Sequence, residues 1–520
     1  MIKLHPTAPN RLSLRAVCLA SAALLLAGPV PAQAALPVAV GTPVTGSQVI
    51  ERRPVAELRE DFAVLRAVLE EAHPGAGRYV SEADLKARFD AISAGLDHPM
   101  SDVEFLAVVQ PAVAAIRDGH TSLALSEAGE TALRRDALVP PITVHVADGR
   151  LFVRHDLAPT AGSDISGREI KAINGRTAAD IIADMTRITS VDGAGVSRTP
   201  YRLSEGLRFS RMHAVLYGTA PQYEIDLEAD GSRDRAFRNG ATLAVLDETW
   251  TARFPADRAP RPPVSVDFRD EGAVALLTIT GFPNFADEAR TQRTDVLIDQ
   301  AFEAIKARGS QVLILDLRDN GGGADVLGRM LFGHIADRPF GYYRGLYVKA
   351  LSFSFAEHSN PPGPIPAEMF APAPDGRLAM AENPNLGQHD PAPDHFTGRV
   401  IILMNGGSFS TTSEFLSIAH HNRRAVFVGE EAGGGYYGNT SGPSLTVTLP
   451  NTGLVLRSPL LRYELAVEGF NPVDRGVPPH HRVAPDVADL LAGRDPAMAY
   501  ALDLARREPT RGEIDKDMSQ

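Results

Sequence analysis

Cysteine is almost absent: the 520 residues contain one, Cys18, and it lies in the first 34. A chain without those residues has neither a disulfide nor a thiol, which excludes a cysteine nucleophile and a thiolate metal site. Lysine is missing from the whole stretch between Lys349 and Lys516. There is no Lys/Arg-rich run, and the formal net charge is −12, which argues against nucleic acid as a partner. After residue 34 no apolar run is long enough to cross a bilayer. No H-E-x-x-H string occurs and His480-His481 is an isolated pair, so neither a metal nor another cofactor is expected.

The chain has 44% hydrophobic and 22% charged residues, the balance of a folded globular protein with room for two to four domains. Residues 1–34 stand apart. Lys3, Arg11 and Arg15 precede an apolar stretch from Ala16 to Val30, and Ala32-Gln33-Ala34 fits a small-residue cleavage site, the pattern of a secretory signal peptide. Its removal takes away three basic residues and no acid, so −12 becomes −15. The expectation is a periplasmic or secreted protein with no membrane span after cleavage.

Three regions follow. Over residues 47–135 the pattern is helical: Leu58, Phe62, Leu65 and Leu69 form one apolar face, Leu85, Phe89, Ile92 and Leu96 a second, and Ser101-Asp102-Val103-Glu104 is a capping box opening a third helix. Residues 136–260 read as short strands and turns, with the Asn174-Gly175 turn between a strand and an Ala178–Met185 helix, as in a small peptide-binding β-barrel module of the PDZ kind. Pro255, Pro260, Pro262 and Pro263 mark a linker. From 264 to 500 strands and helices alternate, which predicts an α/β core. A segment rich in Pro, Tyr and Phe, 341–396, interrupts it and reads as a surface lid or pocket wall.

The stretch from Arg399 to Asn422 carries the chemistry. An apolar strand, Val400–Met404, stops at Asn405-Gly406-Gly407, and a helical pattern starts at Thr411, where Thr411-x-x-Glu414 fits a capping box. Ser410 sits at that junction, in the field of a helix N-terminus that suits a nucleophile generating an oxyanion. Ser408 is the local competitor. Gly321-Gly322-Gly323, after the buried strand Val312–Leu317, can point backbone N–H groups outward as an oxyanion hole requires.

A serine nucleophile needs a base, histidine or lysine. The lysine gap excludes a lysine shortly after the serine. His420 and His421 lie about 15 Å further along the same helix. His120, on a turn after Asp118-Gly119, is the best base, with His480 and His481 behind it, and Asp474 in a Pro/Gly-rich turn is one of several acids that could orient the imidazole.

Five strings in order complete the picture: Asp118-Gly119-His120-Thr121, Asp316-Leu317-Arg318-Asp319-Asn320-Gly321-Gly322-Gly323, Gly407-Ser408-Phe409-Ser410-Thr411, Val428-Gly429-Glu430-Glu431-Ala432-Gly433-Gly434 and Asp474-Arg475-Gly476-Val477. Together they resemble the tail-specific, or C-terminal-processing, serine peptidases, and more closely the branch of the tricorn core and the interphotoreceptor retinoid-binding protein repeats. The resemblance implies a helical N-terminal part and a spiral α/β core of the crotonase and ClpP kind. It implies Ser410 as nucleophile, His120 as base and Asp474 at the acidic position. Oxyanion donors would be the backbone of Gly321 and Gly322 and the N–H of Thr411. The implied substrate is a polypeptide, unfolded or a protein tail. Gly119 departs from the tricorn pattern, which has serine there. A non-catalytic ligand- or peptide-binding protein on the same scaffold, and an esterase, are the competing readings.

Overall fold

The computed structural model describes residues 51–158, 163–229, 231–362 and 364–507; the signal-peptide reading of residues 1–34 lies outside them. Helices Val55–Ala67, Glu82–Gly95 and Asp102–Ala114 form where the apolar repeats place them, and the third opens on the expected capping box, Ser101 with Glu104. Their buried faces do not close on themselves. Phe62, Leu65, Phe89 and Phe105 share one core with Leu445, Val447 and Leu456, from the two strands Thr440–Thr448 and Val455–Leu465. Buried Asp61 fixes this contact, accepting the backbone N–H groups of Asn451 (2.9 Å) and Thr452 (2.8 Å) at the turn between those strands.

The middle region is a six-stranded antiparallel sheet covered by helices Ala178–Arg187, Arg198–Ser204 and Arg208–Tyr217. The Asn-Gly turn is present: Asn174 and Gly175 have φ of 47° and 76°, the left-handed pair of a tight hairpin between Glu169–Ile173 and Arg176–Thr177.

The α/β core holds the site. Its sheet runs in the order Val264–Arg269, Val274–Ile279, Val312–Asp316, Arg399–Met404, Val426–Gly429, His481–Arg482, with only the first pair antiparallel. Parallel strands buried on both faces read as unbroken apolar runs, which is why Val312–Leu315 and Val400–Met404 were legible. One face packs against helices Thr294–Arg308, Asp325–Gly333 and Thr411–His421, and the other against Pro496–Arg506. The turns Asp319–Gly323 and Asn405–Ser410 leave neighbouring strands at the same, C-terminal edge of the sheet, where open α/β folds place their ligands.

Helix Thr294–Arg308 is preceded by a turn in which the Asp287 carboxylate accepts the N–H groups of Thr291 and Gln292. One expectation is corrected here. The segment 341–396 is no simple lid. It contributes strands Tyr343–Val348, Ser359–Asn360, Phe370–Pro372 and Leu378–Met380 to a seven-stranded antiparallel sheet, and the first of these pairs with Val455–Leu465. Short strands divided by Pro and Gly carry no sustained period, so the pattern hid them.

Candidate active site

Strand Arg399–Met404 delivers the chain into Asn405-Gly406-Gly407, and helix Thr411–His421 starts immediately after Ser410. Ser410 itself has φ 57° and ψ −130°, a conformation that costs a non-glycine residue about 1–3 kcal/mol and persists only where its surroundings impose it. It is the sharp strand-to-helix bend that lifts a nucleophile out of its turn, achieved here without a Gly-x-Ser-x-Gly string. Gly322 makes the bend possible. A Cβ at that position, where φ is +96°, would lie 2.7 Å from Ser410 Cβ and 2.9 Å from Thr411 N.

The Ser410 side chain does not cap the helix. Its Oγ lies 3.0 Å from His120 Nε2. Residues 290 apart in sequence thus meet at hydrogen-bond distance, as the reading of His120 as base requires. Thr411 is not the cap either: its hydroxyl donates to Gly323 O at 2.9 Å, tying helix Thr411–His421 to the glycine loop. Ser408, the competitor, is wholly buried and donates to Leu317 O, so it braces the strand end. His480 accepts the Phe427 N–H through Nδ1, His481 Nδ1 meets the Tyr500 hydroxyl, and His420 bonds the Tyr436 hydroxyl; all three have structural partners.

Of the proposed oxyanion donors, Gly322 is engaged elsewhere: its N–H goes to Asn320 Oδ1 at 2.9 Å. The N–H groups of Gly321 and Thr411 have no acceptor among the described residues. Thr411 N–H also stands at the positive end of an eleven-residue helix whose first turn is buried.

Asp474 does not reach the imidazole. Its carboxylate lies 3.6 Å from Arg117 and its carbonyl accepts the Ala194 N–H, so the turn holding it braces the segment around Gly193. The carboxylate nearest His120 is Asp118, two residues before it. Asp118 Oδ1 accepts the His120 backbone N–H at 3.1 Å and lies 3.8 Å from His120 Nδ1, a buried nitrogen without a hydrogen-bond partner. Asp118 Oδ2 takes the Thr121 hydroxyl and His73 Nε2, the latter at 2.9 Å. His73 Nδ1 accepts the Gly75 N–H, which leaves the proton on Nε2 to face Asp118. Burial alone would raise the Asp118 pKa, but His120 and His73 hold the carboxyl well below the usual range.

A second carboxylate stands behind the first. Asp192 is buried, accepts the N–H of Gly119 at 2.7 Å and of Gly435 at 3.2 Å, and offers an oxygen within 4.8 Å of ligating atoms of Asp118 and His120. Burial, reinforced by repulsion from Asp118, pushes its pKa up. Phe409 stacks on His120 with 4.7 Å between centroids. Asp118 stood in a motif string and could have been read as the acid from its spacing to His120; Asp192 and Phe409 carry no local signal, because their roles exist only once distant segments meet.

Residues 273–483, most of the α/β core, match the sequence model of peptidase family S41, in line with the four motif strings that fall within them. The family is one of peptidases, whose substrates are polypeptides. Among solved structures, mature CPAF is 15% identical, with a TM-score of 0.58 over 87% of this chain and 97% of that one. CPAF complexed with lactacystin is 14% identical, with a TM-score of 0.59 over 90% and 99%. The photosystem II D1 C-terminal processing protease is 16% identical, covering 82% and 93% at a TM-score of 0.38. At these identities the likeness to CPAF is one of fold. No curated protein matches the chain.

Proposed function

We propose that this protein is an exported serine peptidase that hydrolyses peptide bonds in unfolded polypeptides or protein tails through an acyl-enzyme on Ser410. The observation that carries this reading is the 3.0 Å contact between Ser410 Oγ and His120 Nε2, made by a serine held in a strained bend at a buried helix N-terminus. His120 takes the hydroxyl proton on Nε2 as Oγ attacks the scissile carbonyl, then delivers it to the leaving amine; water repeats the sequence to release the acyl group. The developing oxyanion is received by the N–H groups of Gly321 and Thr411.

For Nε2 to act as base, Nδ1 must keep its proton. Asp118 is the acid that favours this tautomer and stabilises the imidazolium. At 3.8 Å its oxygen is beyond a direct hydrogen bond, and such contacts run long in a free site and tighten around substrate. The negative charge that this scheme needs beside His120 is supplied by Asp118, whose carboxyl His120 and His73 hold well below the usual range. Export rests on the signal-peptide pattern of residues 1–34.

The test is Ser410→Ala against an unfolded polypeptide. The substitution should lower kcat/KM by several orders of magnitude while circular dichroism and the melting temperature stay close to those of the parent. Equal turnover by the variant would remove Ser410 from the chemistry.

A further inference from the structure

Beside the glycine turns lies a cavity of about 780 Å3, which runs from Gly321 and Gly407 towards the helices Arg198–Ser204 and Arg208–Tyr217. Its walls are unusually rich in guanidinium groups, and most of these have carboxylate partners. Glu205 lies 2.9 Å from Arg202 and 3.5 Å from Arg208, and Arg211 is paired with Glu130 at 2.5 Å.

Arg198 is different. It is 2% exposed, yet among the described residues it makes no ion pair. Its Nη1 donates to Gly406 O at 3.0 Å, its guanidinium carbon lies 4.1 Å from the Phe409 ring centre, and its Nε has no partner. Burial pushes its pKa down to about 10, so it remains a cation at neutral pH. A buried cation is tolerated when an anion meets it, and guanidinium is the side chain best shaped for a carboxylate. The carbonyl and the ring satisfy only part of that demand.

We propose that this cavity is a substrate subsite in which Arg198 receives a carboxylate of the bound polypeptide, giving preference to chains with an acidic group beside the cleaved bond. The proposal rests on Ser410 as the nucleophile, because Arg198 packs on Phe409, the residue next to it in sequence, and because Gly321, from the candidate oxyanion loop, forms part of the cavity wall. A carboxylate is the anion an unmodified polypeptide offers, as an Asp or Glu side chain or as its own C-terminus. Arg198 also props the nucleophile's turn through Gly406 and Phe409, and that bracing role would affect every substrate alike.

The experiment separates these roles by ratio. A peptide series carries a single Glu moved through the residues flanking the cleaved bond; each member is paired with its Gln counterpart and prepared with a free or an amidated C-terminus. The parent enzyme should cleave one acidic form about tenfold or more better than its neutral partner, chiefly through KM, as a charge-assisted pair worth roughly 1.4 kcal/mol implies. In Arg198→Met that ratio should fall to about one, and in Arg198→Lys it should fall only in part. A ratio that depends on Glu against Gln assigns the side chain as ligand, and one that depends on amidation assigns the C-terminus. Equal rates for all forms in the parent, or a loss in Arg198→Met shared by acidic and neutral peptides, would overturn the proposal. Anisotropy of the same labelled peptides on Ser410→Ala reads the preference as binding, independently of whether Ser410 is the nucleophile.

Discussion

His120 and Phe409 lie face to face, 4.7 Å between ring centres and inclined by 28°, and Gly119 is the residue that lets them do so. A Cβ at position 119 would come within 2.4 Å of Phe409 Cζ and 3.1 Å of Asp192 Oδ1. The departure from the serine of the tricorn pattern therefore has a steric reason, since the space is filled by the Phe409 ring that stacks on His120. Gly119→Ala should displace Phe409 or His120 and lower kcat/KM by ten- to a hundredfold, with a loss of about 1–3 kcal/mol in stability. Denaturant unfolding and peptide hydrolysis check both, and an unchanged rate would mean that the ring stack does not set the position of His120.

Asp118 and Asp474 differ in their relation to the imidazole: Asp118 lies 3.8 Å from His120 Nδ1, and Asp474 faces Arg117. Asp118→Asn should lower kcat/KM by about 10²–10⁴-fold, because it removes the charge beside Nδ1 while largely preserving shape. Asp474→Asn, which alters a partly exposed contact with Arg117, should stay within a few-fold of the parent. Steady-state kinetics of the two variants test the assignment, and the reverse order of effects would restore Asp474.

Glu414 lies one turn beyond Ser410, wholly buried, accepting from Tyr343 Oη at 2.7 Å and Asn439 Nδ2 at 2.8 Å. Burial, and then repulsion from Asp325, raise its pKa from 4.5 to about 7, outweighing those two bonds. Between these values the folded chain keeps a proton that the unfolded chain has released, so this group's contribution to stability is complete below pH 4.5 and falls as the pH rises towards 7. The decline amounts to about 3 kcal/mol. In Glu414→Gln it should vanish, so the difference in unfolding free energy between parent and variant should change by that amount across the window. A difference independent of pH would show that Glu414 titrates normally.

Much of the fold was legible because local chemistry agreed with global structure. The Ser101–Glu104 box, the Asn174-Gly175 turn and the apolar strands Val312–Asp316 and Arg399–Met404 need only neighbours in sequence to declare themselves. Ser410 and His120 were legible as types in place, a serine at a helix start and a histidine on a turn. Their distance was not, because it depends on how the N-terminal helices dock on the strands that follow residue 440. The resemblance implies Asp474 at the acidic position, but the turn that holds it faces Arg117 and Gly193, while Asp118 is already beside the ring. Arg198 and Asp192 could not be found from sequence, since a buried charge looks like any other charge until its surroundings are known.

The central claim is that Ser410 is an activated nucleophile served by His120. Its most direct test is intact-mass analysis of the protein after exposure to a serine-directed phosphonate, followed by peptide mapping. The account predicts a single adduct on Ser410, formed at a rate that falls by orders of magnitude in His120→Ala. An unmodified Ser410, or labelling that proceeds equally fast without His120, would contradict it and favour a scaffold that binds polypeptides without cleaving them.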